Sequence, residues 1–262
     1  MMKRLTMLAL LFTWSLGAAA QKGSRTILAV FAHPDDEIFV GPVLAHYART
    51  GAKVYLAIAT KGEKGTSDPK MLGDPLAKVR HEEATCSCHQ LGIEVPIFFD
   101  LNDGELGAIT NPIGKNIQTV ADNVQKLIGE LHPQVIITWG PDGGYGHPDH
   151  RLVSNAVTQV VQSIPDGVKL VYAALTPEQA KTLSAAWYAP LPWHDTDPGY
   201  LTLHVSFTDA DRLAYHKALE CHKSQYSAEE FSKLEKALDQ AWGGTVSFRP
   251  WQGGKQSNDL FR

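Results

Sequence analysis

The sequence predicts a single α/β domain, a largely parallel β-sheet covered by helices on both faces. Three observations carry that expectation. Short runs rich in Val, Ile, Leu and aromatic residues recur along the chain, each bounded by turn signals. Helical patterns fall between them, and strand–helix alternation is the mark of a parallel sheet. The 262 residues suffice for one such domain with a sizeable core, and they show neither a repeat nor a clear domain boundary.

Residues 1–20 stand apart. Lys3 and Arg4 precede a mostly apolar stretch from Leu5 to Leu16, and Ala18-Ala19-Ala20 follows before Gln21. That is the layout of a secretory signal peptide cleaved near Ala20, which predicts a secreted or periplasmic protein. The stretch is short for a membrane span, and no Cys follows it to take a lipid anchor; an uncleaved N-terminal anchor is the alternative. The predicted division is residues 1–20 as signal and 21–262 as the folded domain.

Residues 26–31, 53–59, 95–99, 134–139, 168–173 and 201–205 read as strands. Residues 37–49, 75–91, 113–131 and 149–163 read as helices, the third ended by Pro133, which disfavours helical geometry in the residue before it. Residues 187–200 break the rhythm: three prolines and four aromatics there suggest an ordered loop. Helical patterns return at 209–222 and 228–242, and the Gly-rich polar end, 243–262, reads as a covering tail.

The formal charge of −4, more negative once the basic leader is removed, argues against a general nucleic-acid binder. The cysteines are Cys86, Cys88 and Cys221, an odd count that cannot pair fully within one chain. Cys86 and Cys88 lie two apart in a helical pattern and point to different sides, so they are poor disulfide partners for each other. The same spacing argues against Cys86, Cys88 and His89 as a metal site. The chain is therefore not read as a disulfide scaffold.

Two clusters carry the chemistry. His33-Pro34-Asp35-Asp36-Glu37 joins the first strand to the first helix. Gly143-Gly144-Tyr145-Gly146-His147-Pro148-Asp149-His150 follows the fourth strand, with Pro148 suited to the first position of a helix. Ligands of α/β sheets sit beyond the carboxyl ends of strands, and two parallel strands bring both clusters to one edge. Either cluster alone could be a capped turn, since Asp is a favoured cap. Together, His33, Asp36 and His150 supply the three His and carboxylate ligands of a catalytic zinc, with a position left for water. Zinc lowers the pKa of such water to about 7. Asp35 and Asp36 leave the backbone in different directions, so one can ligate while the other acts as general base. His147 could donate a proton or stabilise an oxyanion, and Asp149 could orient a neighbouring imidazole. Glu37 reads as a first-turn residue favoured by the helix dipole.

With Ala32-His33-Pro34-Asp35-Asp36-Glu37 and Gly146-His147-Pro148-Asp149-His150, the chain resembles the PIG-L/LmbE-like zinc-dependent N-deacetylases over about residues 25–225. The resemblance implies a Rossmann-like fold, Zn2+ held by His33, Asp36 and His150, Asp35 as general base, and His147 as acid or oxyanion partner. Tyr145 matches a mobile tyrosine of the thiol-metabolism branch that assists at the substrate carbonyl. Thr60-Lys61-Gly62-Glu63-Lys64-Gly65 resembles a Thr-x-Gly-Glu-x-Gly segment, which places Glu63 near the substrate. Arg80-His81-Glu82-Glu83 resembles an Arg-x-x-Glu helix with Arg80 toward the substrate; on its residues alone, Arg80 could equally be a salt-bridged surface arginine. His222-Lys223-Ser224-Gln225 resembles a late segment that supports the site.

The implied reaction is removal of the N-acetyl group from an N-acetylglucosamine-type sugar or glycoconjugate. The alternatives are an amidase for a larger acyl or thiol conjugate, hinted at by Tyr145, and a non-catalytic sugar-binding protein. The signal peptide favours N-acetylated sugars met outside the cell or in its envelope. The aromatics of residues 187–200 could stack on a sugar ring or pack onto the core. The predicted partner is a small-molecule N-acetylated sugar or glycoconjugate, without nucleic acid and without stable membrane insertion after signal cleavage. Whether Asp35 or His147 protonates the leaving amine stays open at this level.

Overall fold

Among the described residues, seven strands lie in one sheet in the order β3-β2-β1-β4-β5-β7-β6. They are β1 (Thr26–Phe31), β2 (Lys53–Thr60), β3 (Ile97–Leu101), β4 (Val135–Trp139), β5 (Lys169–Ala173), β6 (Leu203–Ser206) and β7 (Thr245–Pro250). The helices are α1 (Gly41–Arg49), α2 (Asp74–Leu91), α3 (Lys115–Leu131), α4 (Pro148–Gln162), α5 (Pro177–Ala186), α6 (Asp209–Leu219) and α7 (Ala228–Trp242). This computed structural model describes residues 25–66, 68–164, 167–186 and 191–262, so the predicted signal peptide lies outside the described residues. Among the described residues no helix is long and apolar enough to cross a membrane.

Strands β1 to β5 are parallel, and β7 runs antiparallel to both β5 and β6. Every residue of β1 and β4 is buried, as strands in the middle of a two-sided sheet must be. Side chains alternate between the two faces. Ile27, Ala29 and Phe31 pack with Val43, Leu44, Leu91 and Leu219 from α1, α2 and α6. Leu28 and Val30 pack with Val120, Val124, Val153 and Val157 from α3 and α4. The strand order reverses between β1 and β4, and that reversal opens the crevice where α/β sheets bind ligands.

Four features differ from the sequence reading. The polar tail contains β7, inserted between β5 and β6, with Val246 and Phe248 buried. Residues 177–186 form α5, where no element was read. The first helical stretch begins as a turn of 3-10 helix, Asp36–Val40, and becomes α-helical at Gly41. Finally, Cys86 of α2 is disulfide-bonded to Cys221, just beyond α6, across 135 residues of chain; Cys88 is buried outside the bridge.

Candidate metal centre and active site

Past the end of β1, Thr60 secures the emerging chain by donating its N–H and hydroxyl to Ala32 O, each at 2.9 Å. The chain then turns around Asp36, whose Oδ2 accepts the N–H groups of Ala32 and His33, both at 3.0 Å. The other oxygen, Oδ1, lies 3.1 Å from His150 Nε2. His150 Nε2 lies 3.2 Å from His33 Nδ1, which is 3.8 Å from Asp36 Oδ2. Two nitrogens and a carboxylate from the two motifs therefore lie within 3.8 Å of one another. Asp36 at once braces the backbone of Ala32 and His33 and is a member of this triad.

Both imidazoles have their tautomers fixed from behind. His150 Nδ1 lies 3.1 Å from Gly143 O. A carbonyl can only accept, so Nδ1 carries the proton and Nε2 keeps its lone pair. Gly143 has φ +69, and a Cβ there would meet His147 O at 2.8 Å, so the position demands glycine. The His150 ring lies flat on Trp139, with centroids 4.8 Å apart. His33 Nε2 faces Asp103 Oδ1 at 3.1 Å and Asp149 Oδ2 at 3.4 Å, which leaves Nδ1 as the atom that could take a metal. The imidazole that Asp149 orients is thus His33, and Gly104 N–H holds Asp149 in turn at 2.8 Å. Asp103 shares this task and went unread in the sequence. It follows β3 in an ordinary Asn-Asp-Gly turn, and only the placement of β3 beside β2 carries it to the site.

Asp36, Asp103 and Asp149 are buried together. Burial would lower the pKa of His33, but Asp103, Asp149 and Asp36 override it and raise it to about 10. The site holds a surplus of negative charge that favours a cation. Two imidazole nitrogens and a carboxylate, oriented by further carboxylate and carbonyl groups, fit a divalent metal of the zinc type. Among the described residues, two overlapping groups of metal-competent side chains occur here, His33 with His147 and His150, and His33 with Asp103 and Asp149. The second is better read as support, because Asp103 and Asp149 face the far nitrogen of His33.

Asp35 stands beside the triad in a left-handed conformation, φ 96. Its Oδ2 lies 3.1 Å from Arg80 Nη2 and accepts the Tyr226 hydroxyl at 3.4 Å. Burial raises its pKa, against the opposing pull of Arg80 and His222. Arg80 is not a surface residue. It is 3% exposed, and it donates to Gly62 O at 2.9 Å and to Pro34 O. A Cβ at Gly62 or Gly65 would collide with its guanidinium at 2.5 or 2.6 Å, which accounts for the glycines of residues 60–65. Glu63 sits elsewhere than the resemblance implied. Both its oxygens receive Asp103 N–H, at 3.0 and 3.2 Å, and it is absent from the cavity wall. It shapes the loop that carries Asp103.

His147 caps α4, its Nδ1 accepting Asp149 N–H at 3.2 Å. Burial first, and then His33 and His150, lower its pKa to about 4. It is neutral near pH 7, with its proton on Nε2. The Tyr145 ring packs against His150 and Trp193, with centroids at 5.5 and 5.2 Å. Burial raises its phenol pKa, so it is a donor at neutral pH. These groups line a cavity of about 260 Å³, whose apolar wall includes Phe39, Trp139 and Trp193. From residues 187–200, Trp193 reaches this wall, stacked on Phe39 at 5.0 Å, whereas Tyr200 is exposed; residues 187–190 lie outside the described residues.

Fold and site together define an α/β protein with a candidate histidine–carboxylate metal centre at the carboxyl edge of its sheet. The family described as PIG-L: GlcNAc-PI de-N-acetylase matches residues 28–161, which hold both motifs. The chain belongs to that family, and is an amide hydrolase of the deacetylase class. A 1D-myo-inositol 2-acetamido-2-deoxy-alpha-D-glucopyranoside deacetylase from Thermobifida fusca is 31% identical over 239 residues, 77% of this chain and 83% of the relative. The enzyme of the same name from Acidothermus cellulolyticus is 33% identical over 174 residues, 60% of each chain. Among solved structures, the N,N'-diacetylchitobiose deacetylase of Pyrococcus horikoshii superposes with a TM-score of 0.64 at 20% identity, covering 87% of this chain and 84% of its own. That likeness is one of fold.

Proposed function

We infer that this protein removes the N-acetyl group from an N-acetylglucosamine-type sugar or glycoconjugate, with zinc as its metal. The observation that carries this reading is the cluster of His33 Nδ1, His150 Nε2 and the Asp36 carboxylate, paired at 3.1 to 3.8 Å, with Asp35 beside it. Those three residues would hold the ion. When bound, zinc polarises an amide carbonyl and lowers the pKa of water to about 7.

Asp35 takes the proton of the attacking water. Arg80 and Tyr226 both meet its Oδ2, so Oδ1 is the oxygen available for that proton. His147 Nε2–H donates to the oxyanion that develops on the acetyl carbonyl, with the Tyr145 hydroxyl lining the same cavity. The proton then reaches the leaving amine from Asp35. His147 is neutral, and its Nδ1 is engaged by Asp149 N–H; it stabilises charge by hydrogen bonding and has no second proton to release. Sugar binding without turnover would leave Asp35 without a task.

The size and wall of the cavity support an acetyl group and one sugar ring over a larger conjugate. Among the described residues, the Arg or Lys lining the cavity is Arg80, which is committed to Asp35, so a phosphate-free substrate fits best. The names of the relatives support a glucosamine-type sugar. Export through the leader at residues 1–20 belongs to the same reading, and the Cys86–Cys221 bridge supports it, since such bonds persist in oxidising compartments.

The test is acetate release from N-acetylated mono- and oligosaccharides, with bulkier N-acyl analogues in the same panel. Wild-type protein loaded with zinc releases acetate, a chelator abolishes the release, and added zinc restores it. Zinc-loaded protein that releases acetate from none of the sugars overturns the reading.

A further inference from the structure

Glu37 is the one carboxylate of the first motif that the reaction leaves without a task. It stands in the first turn of the helical stretch, as its sequence position suggested, but is the most deeply placed of the three, at 0% exposed. Three donors converge on it. Asp35 N–H reaches Oε2 at 3.0 Å. His222 Nε2 and the Ser87 hydroxyl reach Oε1 at 2.8 and 2.5 Å. His222 is itself 0% exposed. Ser87 and His222 each directly follow a half-cystine, Cys86 and Cys221, so the disulfide fixes the spacing of the two donors around one oxygen.

What this assembly holds is the backbone of Asp35. That residue has φ 96 and ψ −19, a left-handed conformation that side-chain-bearing residues disfavour and that persists only where the surroundings enforce it. No side-chain cap bond from Asp35 itself supports the turn. A carboxylate buried away from water is costly unless fully paired, and here every donor around it comes from a different part of the chain.

We propose that Glu37 is a positioning residue: locked by Ser87 and His222, it holds the backbone of Asp35 in the left-handed conformation that sets Asp35 beside the metal triad. The role of Asp35 as base rests on the deacetylase reading; the backbone restraint does not.

The test uses the full chain loaded with zinc, as Glu37→Ala and Glu37→Gln. Glutamine offers one acceptor oxygen and an amide that only donates, so it cannot serve Asp35 and His222 together. Both variants bind zinc at the wild-type stoichiometry, leave KM close to the wild-type value, and lower kcat for acetate release by about 10–100-fold. In their crystal structures Asp35 leaves the positive-φ region. If Glu37→Ala is insoluble, Glu37→Gln carries the same readouts. An Asp35 that keeps its φ and its Arg80 contact in the variants overturns the proposal. So does an unchanged kcat, and so does loss of zinc along with activity, which would make Glu37 a support of the metal instead. Should wild-type protein release no acetate, the deacetylase reading fails, and the conformation of Asp35 in the variants alone decides the fate of this proposal.

Discussion

Asp35 and Asp36 are neighbours in different surroundings, and those surroundings give each its proposed task. Asp36 folds back onto the N–H groups of Ala32 and His33 and meets His150 with its other oxygen. Asp35 is turned aside by its left-handed backbone and paired with Arg80. Asp35→Ala should therefore keep zinc, as read by metal analysis, while kcat falls by about 10²–10⁴-fold, the usual contribution of a general base. Asp36→Ala should lose the zinc itself. His147 gives a prediction with a sign. Its pKa is depressed to about 4, so it is uncharged above that pH. A cationic acid would lose its function as pH rises through its pKa, whereas a neutral N–H donor does not. The kcat profile should accordingly show no alkaline fall due to His147 from neutral to mildly alkaline pH. His147→Gln, which retains an N–H, should be milder than His147→Ala, for which a loss of roughly 10²–10³-fold is expected of an oxyanion donor. Equal losses in the two variants would exclude the donor role. The triad was legible in the sequence because His and Asp recur after two apolar strands. Asp103 and Glu37 were not, because a carboxylate in a turn looks the same whether it faces water or a buried imidazole.

The α1–α6 contact shows how elements behind the site are tied. Thr208 and Asp211 form a capping box at the start of α6. Asp211 also receives Arg49 Nε at 2.8 Å and Nη2 at 3.1 Å from α1, with His46 Nδ1 at 3.2 Å. Burial would raise the Asp211 pKa, but Arg49 and Thr208 hold it well below the usual carboxylate range. A depressed folded-state pKa contributes stability that is fully present above the unfolded value of 3.8 and is lost as pH falls below it. Asp211→Asn should thus lower stability in urea by roughly 2–3 kcal/mol near neutral pH, a cap plus a charged hydrogen bond. The gap to wild type should narrow below pH 4; a gap independent of pH would remove the electrostatic part of the account. Elements with strong local signals were legible, α7 among them, with its Ser227 and Glu230 box. Two were not. Strand β7 follows Gly243-Gly244, and its few apolar positions become a strand only by pairing with β5 and β6. Helix α5 buries only Ala180 and Leu183, too narrow a stripe to stand out as a helical period.

Across the whole molecule, strand order makes the site. Because β1 and β4 are neighbours at the reversal of the sheet, motifs more than a hundred residues apart share one crevice, and the alternation of strands and helices was enough to anticipate that edge. The covalent link across the molecule carried no such signal. Cys86 in α2 and Cys221 just beyond α6 are unremarkable cysteines until α2 and α6 pack side by side, and a pairing over 135 residues has no local pattern. Its consequence is calculable. Closing a loop of that length removes chain entropy from the unfolded state worth up to about 5 kcal/mol, or roughly 10–20 °C in melting temperature for a domain of this size. The bridge also anchors the segment that ends in Ser224 and Tyr226, which contact Glu83 and Asp35. Replacing both Cys86 and Cys221 by serine should therefore lower the melting temperature by that order and, after the segment loosens, lower kcat more than zinc content. A dithiol reductant added to wild type should reproduce the shift and leave the double variant where it is. Coincident melting curves for wild type with and without reductant would show that the bridge is absent in solution or that the unfolded chain does not feel it.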